Sequence, residues 1–283
     1  MKNLLISFLL FTSIQFAQNN EVKNQEICES KFDFAINENL SEKPINEVIV
    51  EIGKSFLGTD YEAFTLENKE NEKLIVKLDG LDCYTFLEAT LALSRCVKLN
   101  QTDFDSFLRQ IEILRYRGGK LEGYVSRLHY FSDWIYDNEL RNILIDKTKE
   151  CGGELYSNQV NFMSTHPEFY QQLKDRPEIV AEISLIEKSI STRNYYYIAQ
   201  ENIDQLSECI QSGDLIGITS SIPGLDIAHT GIAIRDNQNI LRLLHAPNKG
   251  QKVQISKLSL ADYIKSNSKQ TGIILSRAVS PSE

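Results

Sequence analysis

Histidine is scarce in this 283-residue chain. There are four, His129, His166, His229 and His245, and no two sit at a His-x-x-x-His spacing. That excludes the usual short-spaced zinc motif, so the sequence calls for no metal and no cofactor. Basic charge is also short, with 30 Lys and Arg against 39 Asp and Glu and a formal net charge of -9. Nucleic-acid binding needs clustered cations, so a nucleic-acid partner is not expected. Tight adsorption to anionic polymers is not expected for the same reason, whereas a small anionic ligand held by one or two arginines is compatible. Long apolar runs are missing too. The most apolar one, Leu4 to Phe11, is too short to span a bilayer. No repeat of 20–50 residues is present.

What is there begins with an export pattern. Lys2 is a short basic region, Leu4 to Phe11 an apolar stretch, and Phe16-Ala17 precede polar Gln18-Asn19-Asn20. Residues 1–17 therefore read as a signal peptide, which predicts a periplasmic or secreted protein with no stable membrane insertion after cleavage. Cleavage after Ala17 would leave 29 basic residues against 39 acidic ones, a net charge of -10. The five cysteines are Cys28, Cys83, Cys96, Cys151 and Cys209. An odd count leaves at least one thiol without an intramolecular partner. One free nucleophile with up to two disulfides fits, and so do five reduced thiols.

A hydrophobic content of 42% with mean hydropathy of -0.28 suits a chain with a real core. Residues 18–43 read as a polar, loosely packed leader, and residues 44–283 as one domain with an insertion around 137–195. Ile45, Val48, Ile49, Ile52 and Phe56 fall at helical spacing after Pro44, with Gly58 as the stop. Leu74 to Leu78 reads as a short strand. Asp82 caps a second helix whose inner face holds Phe86, Leu87, Thr90, Leu91 and Ser94, and Asp103 to Tyr116 forms a third. Helical pieces follow Pro167 and Pro177, with an extended piece from Gln159 to Met163. The last third reads as strands at Asp214–Thr219, Thr230–Ile234, Ile240–Ala246, Lys252–Ile255 and Ile273–Val279, with a short helix at Leu258–Ile264. Helices first and antiparallel strands last make an α+β pattern.

Chemistry concentrates at three residues. Cys83 occupies the first helical position after Asp82, where backbone amides favour a thiolate and the Asp82 carboxylate opposes one. His229 begins an apolar strand after a turn, a strand-edge position near the surface where a general base can work. His245 lies in a run from Leu241 to Ala246 broken only by Arg242, and a buried imidazole there needs a hydrogen-bond partner. A buried inert thiol and two core histidines are the bland alternative. The segment Tyr124 to Trp134 gathers Tyr124, Arg127, His129, Tyr130, Phe131 and Trp134. It is a candidate for sugar and peptide recognition, with a packed aromatic helix as its alternative.

Taken in order, Asp82-Cys83, Gly213-Asp214-Leu215-Ile216, His229-Thr230-Gly231-Ile232-Ala233-Ile234 and Leu244-His245-Ala246 resemble the core of NlpC/P60 cell-wall hydrolases. Gly58-Thr59-Asp60-Tyr61 resembles that family's Gly-x-x-Tyr segment. The DUF1460 branch, N-acetylmuramoyl-L-alanine amidase-like proteins, is closer still. Leu81 to Glu88 resembles its nucleophile motif, and Arg115-Tyr116-Arg117 with Gly123 to Trp134 its second signature. The resemblance runs from about residue 45 to the C-terminus.

The resemblance implies a papain-like fold with a helix-borne nucleophilic Cys83, a base His229 and an orienting His245. It implies acyl transfer at the bond between N-acetylmuramic acid and L-alanine in peptidoglycan fragments, 1,6-anhydro-terminated muropeptides included. Tyr61 and the Cys83 amide fall near the oxyanion, and Asp82, Arg115, Arg127, Tyr130 and Trp134 are candidates for holding substrate. One departure bears on specificity: Tyr84 stands where typical NlpC/P60 endopeptidases carry serine, which weakens recognition of a free peptide amine and favours an amidase. Two rivals stand beside it, a γ-D-glutamyl-diaminopimelate endopeptidase and, from another class, a non-catalytic wall-binding module.

Overall fold

The computed structural model describes residues 21–67, 71–157 and 159–282. Helices lead and antiparallel strands follow, the α+β order. The proposed signal peptide lies outside the described residues. The polar leader is not loosely packed. Residues 21–37 are helical (α1), and Asn24, Cys28, Phe32 and Ala35 are buried along one face. Their spacing of four, four and three is a helical stripe, narrow enough to be masked by the charged residues around it.

Helix α2 (Ile45–Ser55), α3 (Cys83–Lys98) and α4 (Phe104–Arg115) form the helical layer. Asp82 and Asp103 cap α3 and α4 by accepting the N–H of Thr85 and Ser106, both at 2.8 Å. Strands β1 (Asp60–Tyr61) and β2 (Gly80–Leu81) form a parallel pair ahead of α3. The expected strand at Leu74–Leu78 is irregular instead. Its backbone is satisfied by side chains. Asn24 bonds both the Val76 carbonyl and the Leu78 N–H, and Arg115 donates to the Ile75 carbonyl.

Helix α5 (Phe131–Leu140) and strand β3 (Leu144–Asp146) lead into residues 137–195. That region adds β4 (Glu154–Tyr156), the short α6 (Phe162–Thr165) and α7 (Pro177–Ser191). The extended piece expected at Gln159–Met163 is reduced to a single bridge, Val160 with Gly224. A disulfide between Cys151 and Cys209 ties the region to the segment before the strands. The strands are β5 (Tyr195–Ala199), β6 (Leu215–Ser220), β7 (Ile227–Arg235), β8 (Leu241–His245), β9 (Gln254–Ile255) and β10 (Gln270–Ala278), with α8 (Leu260–Lys265) before the last.

The sheet runs β4-β5-β10-β6-β7-β8-β9, with β3 also on β10. Successive side chains along a strand point to opposite faces. Leu215, Ile232, Leu244 and Ile274 accordingly join the core shared with α1–α5, while Ile216, Ala233, Leu243 and Ile273 join a second core under α8. A third cluster packs Tyr124 and Tyr130 against α6 and α7.

Candidate active site

Cys83 is placed by the cap that starts α3. Asp82 Oδ1 accepts the Thr85 N–H and hydroxyl, both at 2.8 Å, while Thr85 Oγ1 accepts the Asp82 N–H at 3.0 Å. This reciprocal box holds the first turn, whose amides have no intrahelical partner. Thr230 on β7 then donates its hydroxyl to the Cys83 carbonyl at 2.8 Å, pinning the helix start to the strand.

The two histidines are brought together by strand register. Ile232 pairs with Leu244, so the antiparallel register sets His245 opposite Gly231, and His229 lies on the same face one pleat along. Gly231 makes the close approach possible, because a Cβ there would meet the Leu243 side chain at 2.7 Å and the Leu244 carbonyl at 2.9 Å. A bulge where β6 meets β7 at His229 and Ile227 re-aims the strand at this point. His229 Nε2 lies 2.7 Å from His245 Nδ1. His229 is thus not at an exposed strand edge, as its place after a turn suggested. It lies within β7, paired to Ile218 of the neighbouring strand, and is buried.

Cys83, His229, Thr230, His129 and Asp226 line one cavity of about 100 Å³. With His229 Nε2 committed to His245, Nδ1 is the ring nitrogen left for the thiol. Nδ1 is a base only if Nε2 carries the proton and donates it to His245 Nδ1. Burial lowers His229 to about 4 and, together with its neighbour His229, His245 to about 3. Burial and the Asp82 carboxylate push the Cys83 thiol up to about 11, against the pull of the Thr230 N–H and hydroxyl. Cys83 is only partly buried, and that partial exposure moderates the rise. At neutral pH the site therefore holds a neutral thiol and a neutral imidazole. The other two unpaired thiols, Cys28 and Cys96, are buried, and Cys96 is held up at about 12 mainly by burial.

The remaining sequence candidates divide. Tyr61 is half-buried, next to Leu81 in the β1–β2 register, and is raised to about 12 by burial and by the Cys83 and Asp82 charges. Asp82 and Arg127 line a second cavity of about 170 Å³ that shares Tyr84 and His129 with the first. Arg127 is itself tied to Glu67 at 3.1 Å and Glu72 at 3.6 Å. Arg115, Tyr130 and Trp134 face the interior. Arg115 pairs with the fully buried Glu88 at 2.9 Å. Tyr130 donates to Glu187 at 2.7 Å and accepts the Met163 N–H at 2.9 Å. Trp134 is fully buried, its ring stacked on Phe131 with centroids 5.1 Å apart. Their aromatic and cationic character serves packing, and they offer no surface to a ligand.

Several site residues carried no readable signal. Tyr263 on α8 packs edge-on against His245, with ring centroids 5.0 Å apart. Asp226 is buried in the cavity wall, with Oδ2 accepting the Ser132 N–H at 2.9 Å and Oδ1 the Ile227 N–H at 2.7 Å. Neither lies in a motif-like spacing. Thr230 stood beside His229 in the sequence, and only the packing of α3 on β7 reveals its bond to Cys83. No group of three or more His, Cys, Asp or Glu suited to a metal ion occurs among the described residues.

No curated protein matches the chain. Among solved structures, it is similar to an N-acetylmuramoyl-L-alanine amidase from Bacteroides uniformis, at 37% identity and TM-score 0.79 over 83% of this chain and 99% of that one. It is also similar to a Bacteroides fragilis protein solved as a candidate xylanase, at 38% identity and TM-score 0.75 over 80% of this chain and 98% of that one. A DUF1460 protein from Legionella pneumophila shares the fold at 22% identity and TM-score 0.68, over 93% of this chain and 96% of that one. Residues 51–273 match the AmiA-like family model. The chain therefore belongs to the AmiA-like, N-acetylmuramoyl-L-alanine amidase-like family.

Proposed function

We propose that the protein is an exported cysteine amidase that hydrolyses the N-acetylmuramoyl-L-alanine bond of peptidoglycan fragments, on a papain-like NlpC/P60 scaffold. The observation that carries this is that Cys83 and His229 line one cavity while His229 Nε2 lies 2.7 Å from His245 Nδ1. Cys83 Sγ attacks the lactyl carbonyl while its proton passes to His229 Nδ1. The resulting imidazolium keeps its Nε2–H on His245 Nδ1, which is the third-group role of a triad. The Cys83 amide, first in the helix and free of an intrahelical partner, faces the developing oxyanion, with Tyr61 close by. The C–N bond breaks as His229 returns the proton to the leaving amine of L-alanine. Water, deprotonated by His229, then attacks the thioester, releasing the lactyl carboxylate and restoring the thiol.

The neutral resting pair suits this order, because proton transfer accompanies attack and no preformed thiolate is required. The Cys151–Cys209 disulfide supports an oxidising, exported setting. The resemblance to a candidate xylanase carries less weight. Glycoside hydrolysis needs two carboxyl groups flanking the bond, and the cavity around Cys83 is lined by one, Asp226, whose two oxygens are both held by backbone N–H groups.

Mass spectrometry of defined muropeptides tests the reading. The mature protein should release an intact stem peptide beginning with L-alanine, and Cys83→Ala should not. Release of a sugar fragment still carrying L-Ala-D-Glu would make it the γ-D-glutamyl-diaminopimelate endopeptidase. Cleavage of nothing, anhydro-muropeptides included, would leave the non-catalytic wall-binding module.

A further inference from the structure

The hydrogen bond between the two histidines can be made in two ways. Either His229 Nε2–H donates to His245 Nδ1, or His245 Nδ1–H donates to His229 Nε2. A neutral imidazole carries one N–H. The first arrangement therefore leaves His229 Nδ1 bare and able to take a proton from Cys83, and the second leaves it protonated and unable to. The first also puts the single proton of His245 on Nε2. What faces that nitrogen decides between the two.

His245 Nε2 is buried and has no hydrogen-bond partner among the described residues. A buried donor left in that state is costly. Tyr263 does not meet the need. The two imidazole centres lie 5.0 Å apart with the bonded nitrogens between them, and the Tyr263 ring centre is 5.0 Å from His245 and 6.3 Å from His229. Those three sides set Tyr263 nearly at a right angle to the line joining the histidines. Nε2 stands two atoms round the ring from Nδ1 and points back along that line, away from His229.

The next strand carries an acceptor. Antiparallel register pairs His245 with Gln254 of β9, so the two side chains share a face with Cβ atoms about 5 Å apart. That face is the one under α8, because Leu244, Val253 and Ile255 turn to the other core. His229, His245 and Gln254 thus form a row across β7, β8 and β9. Gln254 is half-buried, and its amide Nε2 donates to Gln251 Oε1 at 3.0 Å, which leaves its Oε1 without a partner among the described residues.

We propose that Gln254 is a positioning residue whose Oε1 turns to accept His245 Nε2–H and so holds the histidine pair in the form in which His229 Nδ1 is the base. The donors then all point one way: Cys83 S–H to His229 Nδ1, His229 Nε2–H to His245 Nδ1, and His245 Nε2–H to Gln254 Oε1. When His229 takes the thiol proton, no other proton has to move. This rests on the cysteine amidase reading above.

Three variants test it. Gln254→Leu removes the acceptor, Gln254→Glu keeps one, and Gln251→Leu frees the Gln254 amide from its surface partner. On a muropeptide, Gln254→Leu should lower kcat by roughly ten- to a hundredfold, the bias that one buried hydrogen bond supplies, with KM nearly unchanged. Gln254→Glu and Gln251→Leu should stay near the wild-type kcat. Two-bond proton–nitrogen NMR spectra of the histidine rings, recorded without substrate, should show His229 with Nε2–H and a bare Nδ1 in the wild type and in Gln254→Glu. Gln254→Leu should bring in the Nδ1–H form, whereas loss of a merely structural glutamine would lower Tm without moving the tautomer. A wild-type His229 carrying Nδ1–H, an unchanged tautomer in Gln254→Leu, or equal kcat losses in the Leu and Glu variants would overturn the proposal. If the wild type cleaves no muropeptide, the amidase reading falls, and the tautomer comparison still upholds or overturns the role of Gln254.

Discussion

Two regions of this molecule are crowded with chemically capable side chains, and the fold treats them oppositely. Around Cys83, a helix start and the strand bearing His229 meet at a cavity, with His245 bonded to His229 from the next strand. In the segment from Tyr124 to Trp134, Tyr130, Asp133 and Trp134 turn inward, while Tyr124, Arg127 and His129 line cavities. Tyr130 is spent on Glu187 and Met163, and Trp134 on Phe131. Asp133 in the same segment holds Arg117 and Arg193, each at 2.6 Å. The contrast teaches that residue type marks capability, while accessibility decides use. A thiol at a helix start can remain at the surface because the helix needs only its cap. An aromatic cluster of that size has more to gain from burial.

The sharpest way to break the comparison is to exchange thiols. Cys83→Ala should lower kcat by at least about a thousandfold, as loss of a nucleophile does, whereas Cys28→Ala and Cys96→Ala should leave kcat near the wild-type value. Steady-state hydrolysis of a muropeptide reads all three. If Cys96→Ala were as inactive as Cys83→Ala while still folded, the assignment of the nucleophile would fail.

For the aromatic segment the expectation is inverted. Trp134→Ala should destabilise the fold by about 3–5 kcal/mol through lost burial and a residual cavity, seen as a lower midpoint in denaturant. The fraction that stays folded should keep the wild-type KM. A raised KM in fully folded protein would return Trp134 to the binding surface.

The histidine pair makes stability depend on pH. The folded pKa of His229 is about 4 and of His245 about 3, both below the ordinary 6.5. Protons therefore favour the unfolded chain. The stabilisation is fully present above about 6.5 and is lost as pH falls from there toward 4 and 3. Tm should drop across that window, and a variant carrying both His229→Asn and His245→Asn should lose that part of the drop. Activity in the wild type should persist down to about pH 5, since His229 stays neutral. An acid limb near 6.5 would show that the imidazole is less buried in solution.

The smallest effect concerns the cap. Asp82→Ala should cost about 1 kcal/mol of stability by releasing the first turn of α3. Because that turn aims Cys83, the change should lower kcat more than stability alone explains. Thermal melts and hydrolysis rates, compared with Asp103→Ala at the equivalent position of α4, separate the local from the catalytic part.

How far each feature could be read depends on the range of the forces that set it. The cap of α3, the helical faces of α2 and α4, and the strands of the last third are local matters of spacing and turn chemistry, and they lie near where the sequence puts them, with β7 starting three residues early at Ile227. Strand β5 went unread because Tyr195–Ala199 follows a long polar region with no turn signal. The α1 stripe went unread because only four of its positions face inward. The three candidate residues Cys83, His229 and His245 were legible, each on its own element. The contact between the two histidines was not, since it depends on the β7–β8 register and the bulge beside His229.

By itself, then, the sequence determined which residue types were available and on which elements they rode: a cysteine at a capped helix start, two histidines on strands, and helices before an antiparallel sheet. The tertiary structure alone decided which of the capable residues reach solvent. Trp134, Tyr130 and Arg115 were drawn into the core, and Phe64 was left at a cavity rim. The reason is that burial is a collective property: whether a side chain faces water depends on what packs against it from elsewhere in the chain, and no local pattern carries that information.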